Sequence, residues 1–109
     1  MQHAAPALMV YCTCPDDVIA RQLAHAGVEA GLAACVNVVS GVRSVFRWQG
    51  AVSEEAEILL VAKTTAEAFA ALEALWVAQH PYELPEVIAV PITHGSEAYL
   101  AWITDAVSA

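Results

Sequence analysis

The stretch His80-Pro81-Tyr82-Glu83-Leu84-Pro85-Glu86 separates a long amphipathic segment from a short apolar one. Pro81 has no backbone N–H and pushes His80 out of the α region, so a helix is predicted to end here. Pro85 then keeps the chain extended at the entry to a strand. We call residues 80–86 the corner; it carries an imidazole, a phenol and two carboxylates. These groups are typical either of a solvated turn or of a corner that helps to line a site.

The segments on both sides of the corner indicate the order of the other elements. Before it, the capping box Thr64-x-x-Glu67 predicts a helix to about Gln79. After it, a strand is predicted at Val87–Ile92, and Ser96 is expected to cap a last helix. The first half of the chain predicts a strand at Ala7–Cys14. A helix is predicted to begin near Pro15, with Thr13 or Cys14 as its cap, and to end near Gly31. A long hairpin follows, with strands at about 34–48 and 51–63, a bulge at Gly41 and a turn at Gln49-Gly50.

The order strand, helix, strand therefore occurs twice and is followed by a helix. With right-handed crossovers, this order predicts an α+β ferredoxin-like sandwich, in which one antiparallel sheet carries helices on one face. The tight turn at Gln49-Gly50 argues against an all-parallel sheet.

Composition predicts one domain with a partly hidden surface. A chain of 109 residues has room for a single core, predicted at residues 7–109 after a flexible tail at residues 1–6. Hydrophobic residues make up 59% of it and charged residues 15%, against about 45–50% and about 25% in typical domains. Few charges on a small domain favour a homo-oligomer. The distal half of the hairpin at residues 34–63 is predicted to pair with a neighbouring subunit.

Charge and hydropathy exclude several kinds of partner. The formal net charge of −8 repels phosphate backbones, so we expect no nucleic-acid binding. No apolar run approaches the roughly 20 residues that span a bilayer, so we expect no membrane partner. The first residues lack the basic and apolar regions of a signal peptide, which favours a cytoplasmic location. Three cysteines form an odd set that indicates reduced thiols.

Cys12-x-Cys14 is the sharpest chemical feature of the sequence. Side chains two residues apart on a strand face the same side, so both sulfurs are predicted on one face. Two thiolates in that arrangement suit Cu(I) or Zn(II). Cysteine is also a common small core residue, so ligation and packing both stay open here. Cys35 lies in an apolar run and is predicted to be core.

His80 is the second candidate ligand. It ends the predicted helix, where the helix dipole favours a cation, so a capping role and a ligand role are both open. The other histidines have no convergent partner in the sequence. No hydrolase, zinc-protease or phosphate-binding motif is present. A Cys–His nucleophile pair lacks a third group to orient it, so we assign no catalytic residue and expect no enzyme.

Several motifs together resemble the CutA divalent-cation-tolerance family, over about residues 8 to 103. They are Cys12-Thr13-x-Pro15-Asp16, Gly31-Leu32-Ala33-Ala34-Cys35-Val36-Asn37, Gly41-Val42-Arg43-Ser44 with Trp48-x-Gly50, Lys63-Thr64-Thr65 with His80-Pro81-Tyr82-x-x-Pro85-Glu86, and Tyr99-Leu100-x-Trp102.

The resemblance implies a cytoplasmic homotrimer that binds copper or another divalent metal ion in metal tolerance. It also implies that Cys12 and His80 are metal ligands, and the Cys12-x-Cys14 spacing adds Cys14 as a third candidate ligand. Some members have a second histidine where this chain has Gln79, and position 14 is usually not cysteine. The metal preference of this chain is therefore left open.

A second hypothesis is a signalling or adaptor trimer. The family resembles PII-type signalling proteins in architecture, and those proteins bind small ligands in clefts between subunits. Candidate residues for a small anionic ligand are Trp48, Lys63, Tyr82 and Glu86. A hydrolase or transferase that uses the same cleft is a third, weaker hypothesis.

The predicted fold places the two carried-over ligands far apart. Cys12 is expected beside Lys63 on the third strand, and His80 lies at the far end of a helix about 20 Å long. Metal–ligand bonds are only about 2–2.3 Å long. On this prediction, either a neighbouring subunit completes the site or Cys12 and His80 belong to separate sites.

Overall fold

The computed structural model describes residues 6–107, and the tail predicted for residues 1–6 lies outside the described residues except for Pro6. Four strands and three helices follow one another in the predicted order. Their bounds are β1 Ala7–Cys14, α1 Asp17–Glu29, β2 Cys35–Trp48, β3 Ala51–Thr65, α2 Ala66–Gln79, β4 Ile88–Pro91 and α3 Glu97–Ala106.

The strands form one antiparallel sheet in the order β2-β3-β1-β4. In β1, the side chains of Val10, Cys12 and Cys14 alternate with more exposed ones and enter the core that α1 and α2 complete. This topology confirms the predicted α+β ferredoxin-like sandwich. Within residues 6–107, none of the helices has the length and apolar character needed to cross a membrane.

The two long helices are held against each other by the indole of Trp76. This side chain is fully buried, and its Nε1–H donates to the Leu23 carbonyl at 2.8 Å. Gly27 permits the close approach, because a Cβ there would lie 3.2 Å from Leu72 Cδ1. The position of α2, and of the corner after it, is thus fixed relative to α1.

The β2–β3 hairpin has the predicted turn and bulge. Gln49 and Gly50 have φ values of 51° and 82°, as a two-residue hairpin turn requires. Gly41 has a φ of 83°, and the register of β2 on β3 shifts between Val39 and Val42. The hairpin gives the molecule an elongated shape, with extents of 52 × 25 × 22 Å.

Two predicted helix caps are wrong by one or more residues. The cap of α1 is Asp16, whose side chain accepts from the Ile19 amide at 2.9 Å, because β1 keeps Thr13 and Cys14 in the sheet. The cap of α2 is Thr65, because the β1–β3 pairing continues to the end of β3. The neighbouring Thr64 hydroxyl instead donates to the Leu32 carbonyl at 2.6 Å. The last strand, β4, is also shorter than predicted.

Candidate functional site

The cysteines of β1 point into the core from the same face of the strand. Cys12 and Cys14 are both fully buried and both free thiols, as the two-residue period of a strand predicts. Each packs within the cluster that contains Val10 and Trp76. Buried cysteines can be packing residues or metal ligands. The group that faces the two sulfurs distinguishes these roles.

That group is the imidazole of His80. The residue leaves the helix with φ −79° and ψ 138°, as Pro81 predicts, and only 8% of it is exposed. Its Nδ1 accepts from the Tyr82 amide at 3.1 Å, and its Nε2 lies 2.8 Å from the Thr13 carbonyl oxygen. An amide can only donate and a carbonyl can only accept, so Nε2 carries the proton of a neutral ring.

The structure brings the three candidate ligands together within one chain. The ligand atoms of Cys12, Cys14 and His80 all lie within 4.8 Å of one another, and all three residues are buried. We call these residues the thiol–imidazole cluster. The expectation that one chain keeps Cys12 and His80 apart is therefore wrong.

The error came from placing Cys12 beside Lys63, whereas the register pairs Cys12 with Leu60. Because Thr65 lies opposite Ala7, α2 begins beside the start of β1 and runs along it in the same direction. The 14 residues of α2 cover about 21 Å, and the 8 residues of β1 cover about 26 Å. Both elements consequently end at the same end of the sheet.

The two thiols alter each other's acidity. Their mutual hydrogen bond, followed by burial, raises the pKa of Cys12 well above its ordinary value. The same interaction lowers the pKa of Cys14. The two thiols therefore titrate as a coupled pair, and their burial disfavours a second negative charge beside the first.

The donor set of the cluster suits a soft or borderline metal ion. Two sulfurs and one imidazole nitrogen are ligands that Zn(II) and copper prefer over oxygen-binding cations. Cys35 lies outside the cluster, at the start of β2 opposite Lys63, and is half-buried, whereas the sequence predicted a core position.

A groove of about 910 Å³ lies beside the cluster, between the corner and the β2–β3 hairpin. Tyr82 joins its two walls, because its hydroxyl donates to Glu57 Oε2 at 2.7 Å. We call it the acidic groove, and its lining residues are Thr13, Pro15, Ser44, Val45, Phe46, Trp48, Glu55, Ala56, Glu57, Pro81, Tyr82, Glu83, Leu84 and Glu86.

Three of the four predicted cleft residues, Trp48, Tyr82 and Glu86, line this groove. Lys63 does not, because it lies further along β3, where its ammonium donates to the side-chain oxygen of Asn37. The sequence reasoning missed Glu57, which is only 8% exposed. The sequence could have identified Glu57 through its spacing of two residues from Glu55, because this spacing places both side chains on one face of a strand.

Burial and neighbouring negative charge raise the pKa values of two groove residues, Glu86 and Tyr82. Burial, and then the neighbouring Glu57, raise the pKa of Glu86 above its ordinary value. Burial, and then the hydrogen bond to Glu57, raise the pKa of the Tyr82 hydroxyl. The phenol consequently remains protonated and serves as a donor to the carboxylate.

Fold and site together define a ferredoxin-like protein with a buried thiol–imidazole cluster at one end of its sheet. The chain belongs to the CutA1 family: residues 8–106 match the family model described as "CutA1 divalent ion tolerance protein". The resemblance seen in the sequence motifs is thereby confirmed, and membership links the chain to divalent-ion tolerance in general.

Individual relatives agree with this assignment. The divalent-cation tolerance protein CutA of Thermus thermophilus is 47% identical, and the match covers 89% of this chain and 94% of that protein. Its solved structure gives a TM-score of 0.91 at 45% identity, covering 94% of this chain and 99% of that one.

More distant relatives differ in length and in described location. The Xenopus laevis CutA homologue is 43% identical over 89% of this chain, which spans only 64% of that longer protein. A solved Archaeoglobus fulgidus structure, described as a periplasmic divalent cation tolerance protein CutA, gives a TM-score of 0.90 at 33% identity and covers 94% of this chain and 99% of that one.

Proposed function

We propose that this chain binds copper or another transition-metal ion through Cys12, Cys14 and His80 as part of metal tolerance, and that it acts as a binding protein without catalysis. The observation that carries the proposal is the convergence of two thiols and an imidazole within 4.8 Å in the core. Zinc and copper sites are built from this combination of donors.

Binding at the cluster is coupled to protons and to the corner. Thiolates are the metal-binding form, so uptake releases thiol protons and the affinity falls as the pH decreases. Both nitrogens of His80 already have hydrogen-bond partners, in Thr13 and Tyr82. A metal ion at either nitrogen replaces one of these hydrogen bonds. The metal affinity therefore depends on the geometry of the corner.

Competitive Cu(I) titration with a chromophoric chelator, under anaerobic conditions, tests the proposal. Cys12→Ser and Cys14→Ser are each expected to lower the affinity by about tenfold or more, because a chelate loses a soft ligand. His80→Ala is expected to lower the Cu(I) affinity by a similar factor, because the same chain supplies all three ligands. Cys35→Ser is the matched control and is expected to bind like the parent.

Circular dichroism of each variant separates lost ligation from lost folding. If folded Cys12→Ser and Cys14→Ser proteins bind Cu(I) like the parent, the thiols are packing residues and the proposal is wrong. Parallel titrations with Zn(II) and Cu(II) determine which ion the cluster prefers.

We further propose a homotrimer located in the cytoplasm. Apolar side chains exposed on the hairpin support self-association: Val38, Val39, Val45, Phe46, Trp48 and Val52. Fractionation of cells that express the natural gene tests the location, since the Archaeoglobus fulgidus relative is described as periplasmic.

The alternative of a small anionic ligand has no support from the groove. Of its four candidate residues, the one cation, Lys63, lies elsewhere. The described residues that line the groove include four glutamates and no lysine, arginine or histidine.

A further inference from the structure

We propose that ligation by His80 releases the backbone amide of Tyr82, so that the corner changes conformation when the thiol–imidazole cluster binds a metal ion. The inference rests on the proposed function, because it starts from His80 as a ligand. It goes beyond that function by assigning a conformational response to the site, with Tyr82 as the residue that carries the response to the β2–β3 hairpin.

The neutral imidazole of His80 has one ring nitrogen with a free lone pair. In the structure this nitrogen is Nδ1, which accepts from the Tyr82 amide at 3.1 Å. The proton is on Nε2, which lies 2.8 Å from the Thr13 carbonyl oxygen. A histidine ligand is a neutral imidazole that coordinates through one nitrogen and keeps its proton on the other. His80 therefore cannot become a ligand while both of these hydrogen bonds stay as they are.

Ligation through either nitrogen breaks the same hydrogen bond. If Nδ1 coordinates, its lone pair is used and the Tyr82 amide loses its acceptor. If Nε2 coordinates, the ring proton moves to Nδ1, where it faces the Tyr82 N–H. Two donors then point at each other and neither has an acceptor. The loss of the Tyr82–His80 hydrogen bond is thus independent of which nitrogen of His80 is the ligand.

The local sequence makes this hydrogen bond the first attachment of the corner. Pro81 has no N–H, so the Tyr82 amide is the first backbone donor after His80. The rings of His80 and Tyr82 are also in contact, with centroids 4.6 Å apart. Because a partly buried amide without an acceptor costs free energy, the peptide between Pro81 and Tyr82 is expected to rotate toward water. That rotation moves the Tyr82 ring.

Tyr82 extends the response to the hairpin. Its hydroxyl donates to Glu57 Oε2 at 2.7 Å, and Glu57 lies on β3 opposite Val42 of β2. The amide and the hydroxyl of one residue thus hold the imidazole and the hairpin together. The Tyr82–Glu57 hydrogen bond opposes ligation by His80, because it stabilises the arrangement of the corner that ligation disrupts.

Zn(II) titration of the isotope-labelled protein, followed by NMR at constant pH, tests the inference. The Cβ resonances of Cys12 and Cys14 and the ring nitrogens of His80 report ligation, and the Tyr82 amide reports the corner. We expect all of these signals to change over the same range of Zn(II). Hydrogen exchange of the Tyr82 amide is expected to become at least about tenfold faster.

The outcomes separate this inference from the proposed function. If the cysteine and His80 signals respond and the Tyr82 amide does not, the inference is overturned and the metal site stands. Cysteine signals that respond without His80 would also overturn it, because His80 would not be a ligand. If the cysteine signals do not respond, the proposed function is overturned, and the inference with it.

The Zn(II) affinity of Tyr82→Phe gives a second test. Loss of the hydroxyl destabilises the metal-free arrangement more than the metal-bound one, so the affinity is expected to rise by about three- to tenfold. A residue that only supports the fold would lower the affinity or leave it unchanged when replaced, and either result would overturn the inference. Tyr99→Phe is the matched control, because it removes a hydroxyl from α3 at a residue that is 44% exposed. Its expected effect is less than about twofold, and an equal rise in both variants would overturn the inference.

Discussion

At the scale of single residues, His80 and Tyr82 connect the two candidate sites. The imidazole of His80 faces the thiols, and the Tyr82 amide holds that imidazole while the Tyr82 hydroxyl holds Glu57 in the groove. The two rings also contact each other, with centroids 4.6 Å apart. A change in either ring is therefore expected to affect both sites.

Tyr82→Phe is expected to lower the free energy of unfolding by about 1–3 kcal/mol, because it leaves a largely buried carboxylate without its donor. Urea denaturation of the metal-free protein measures this change. Tyr99→Phe is the control, since Tyr99 is 44% exposed. Equal effects of the two substitutions would mean that the Tyr82–Glu57 bond adds nothing to stability.

Glu86→Gln is expected to stabilise the metal-free protein at pH 7 but not at pH 3.5. The pKa of Glu86 is raised above its ordinary value of 4.5 in the folded state, so the native protein binds this proton more tightly than the unfolded chain. Protonated Glu86 therefore contributes to the free energy of unfolding of the parent fully at pH values below the pKa of Glu86 in the unfolded chain. This contribution is lost as the pH rises through the pKa of Glu86 in the folded protein. Melting temperatures across this range would contradict the prediction if the variant gained nothing at pH 7.

At the scale of elements, the helix caps show how the sheet limits the helices. Asp16 begins α1 only after β1 has released the chain, and Thr65 caps α2 at the last residue of β3. The capping side chains are of the expected types, but strand pairing decides which residue holds the position.

Asp16→Ala is expected to cost about 1 kcal/mol of stability, because it removes the acceptor for the Ile19 amide. Asp17→Ala makes the same change of charge one residue later and serves as the control. Its 3.9 Å ion pair with Arg21 is exposed, so the expected loss is at most about 0.5 kcal/mol. If thermal denaturation shows equal losses, Asp16 does not act as the cap.

At the scale of the whole molecule, the shape of the chain indicates association. The Cα radius of gyration is 14.6 Å, whereas a compact chain of this length has about 13 Å. The excess comes from the hairpin, which extends beyond the core and exposes apolar side chains such as Val45 and Val52. Pairing with other copies of the chain would cover that surface.

Sedimentation equilibrium at micromolar concentration is expected to give three times the 11.5 kDa mass of one chain. Val52→Asp, at the hairpin tip, is expected to shift the mass toward that of one chain, since Val52 is 65% exposed there. Val18→Asp on α1 is the control, with 74% exposure. A parent mass of 11.5 kDa would refute the trimer.

The sequence by itself determined the elements and their order. Backbone constraints at Pro81, Gly41 and Gln49-Gly50 act locally, so the corner, the bulge and the hairpin turn could all be predicted from the residue types. The period of two in β1 likewise placed Cys12 and Cys14 on one face. These features need no knowledge of distant parts of the chain.

Only the tertiary structure decided that His80 meets the cysteines. The register of β3 on β1 sets where α2 begins, and the matching lengths of α2 and β1 then bring Gln79 and Cys14 to one end of the sheet. The same register separates Lys63 from Trp48, Tyr82 and Glu86. Register depends on pairing between residues about fifty positions apart, which local propensity does not encode.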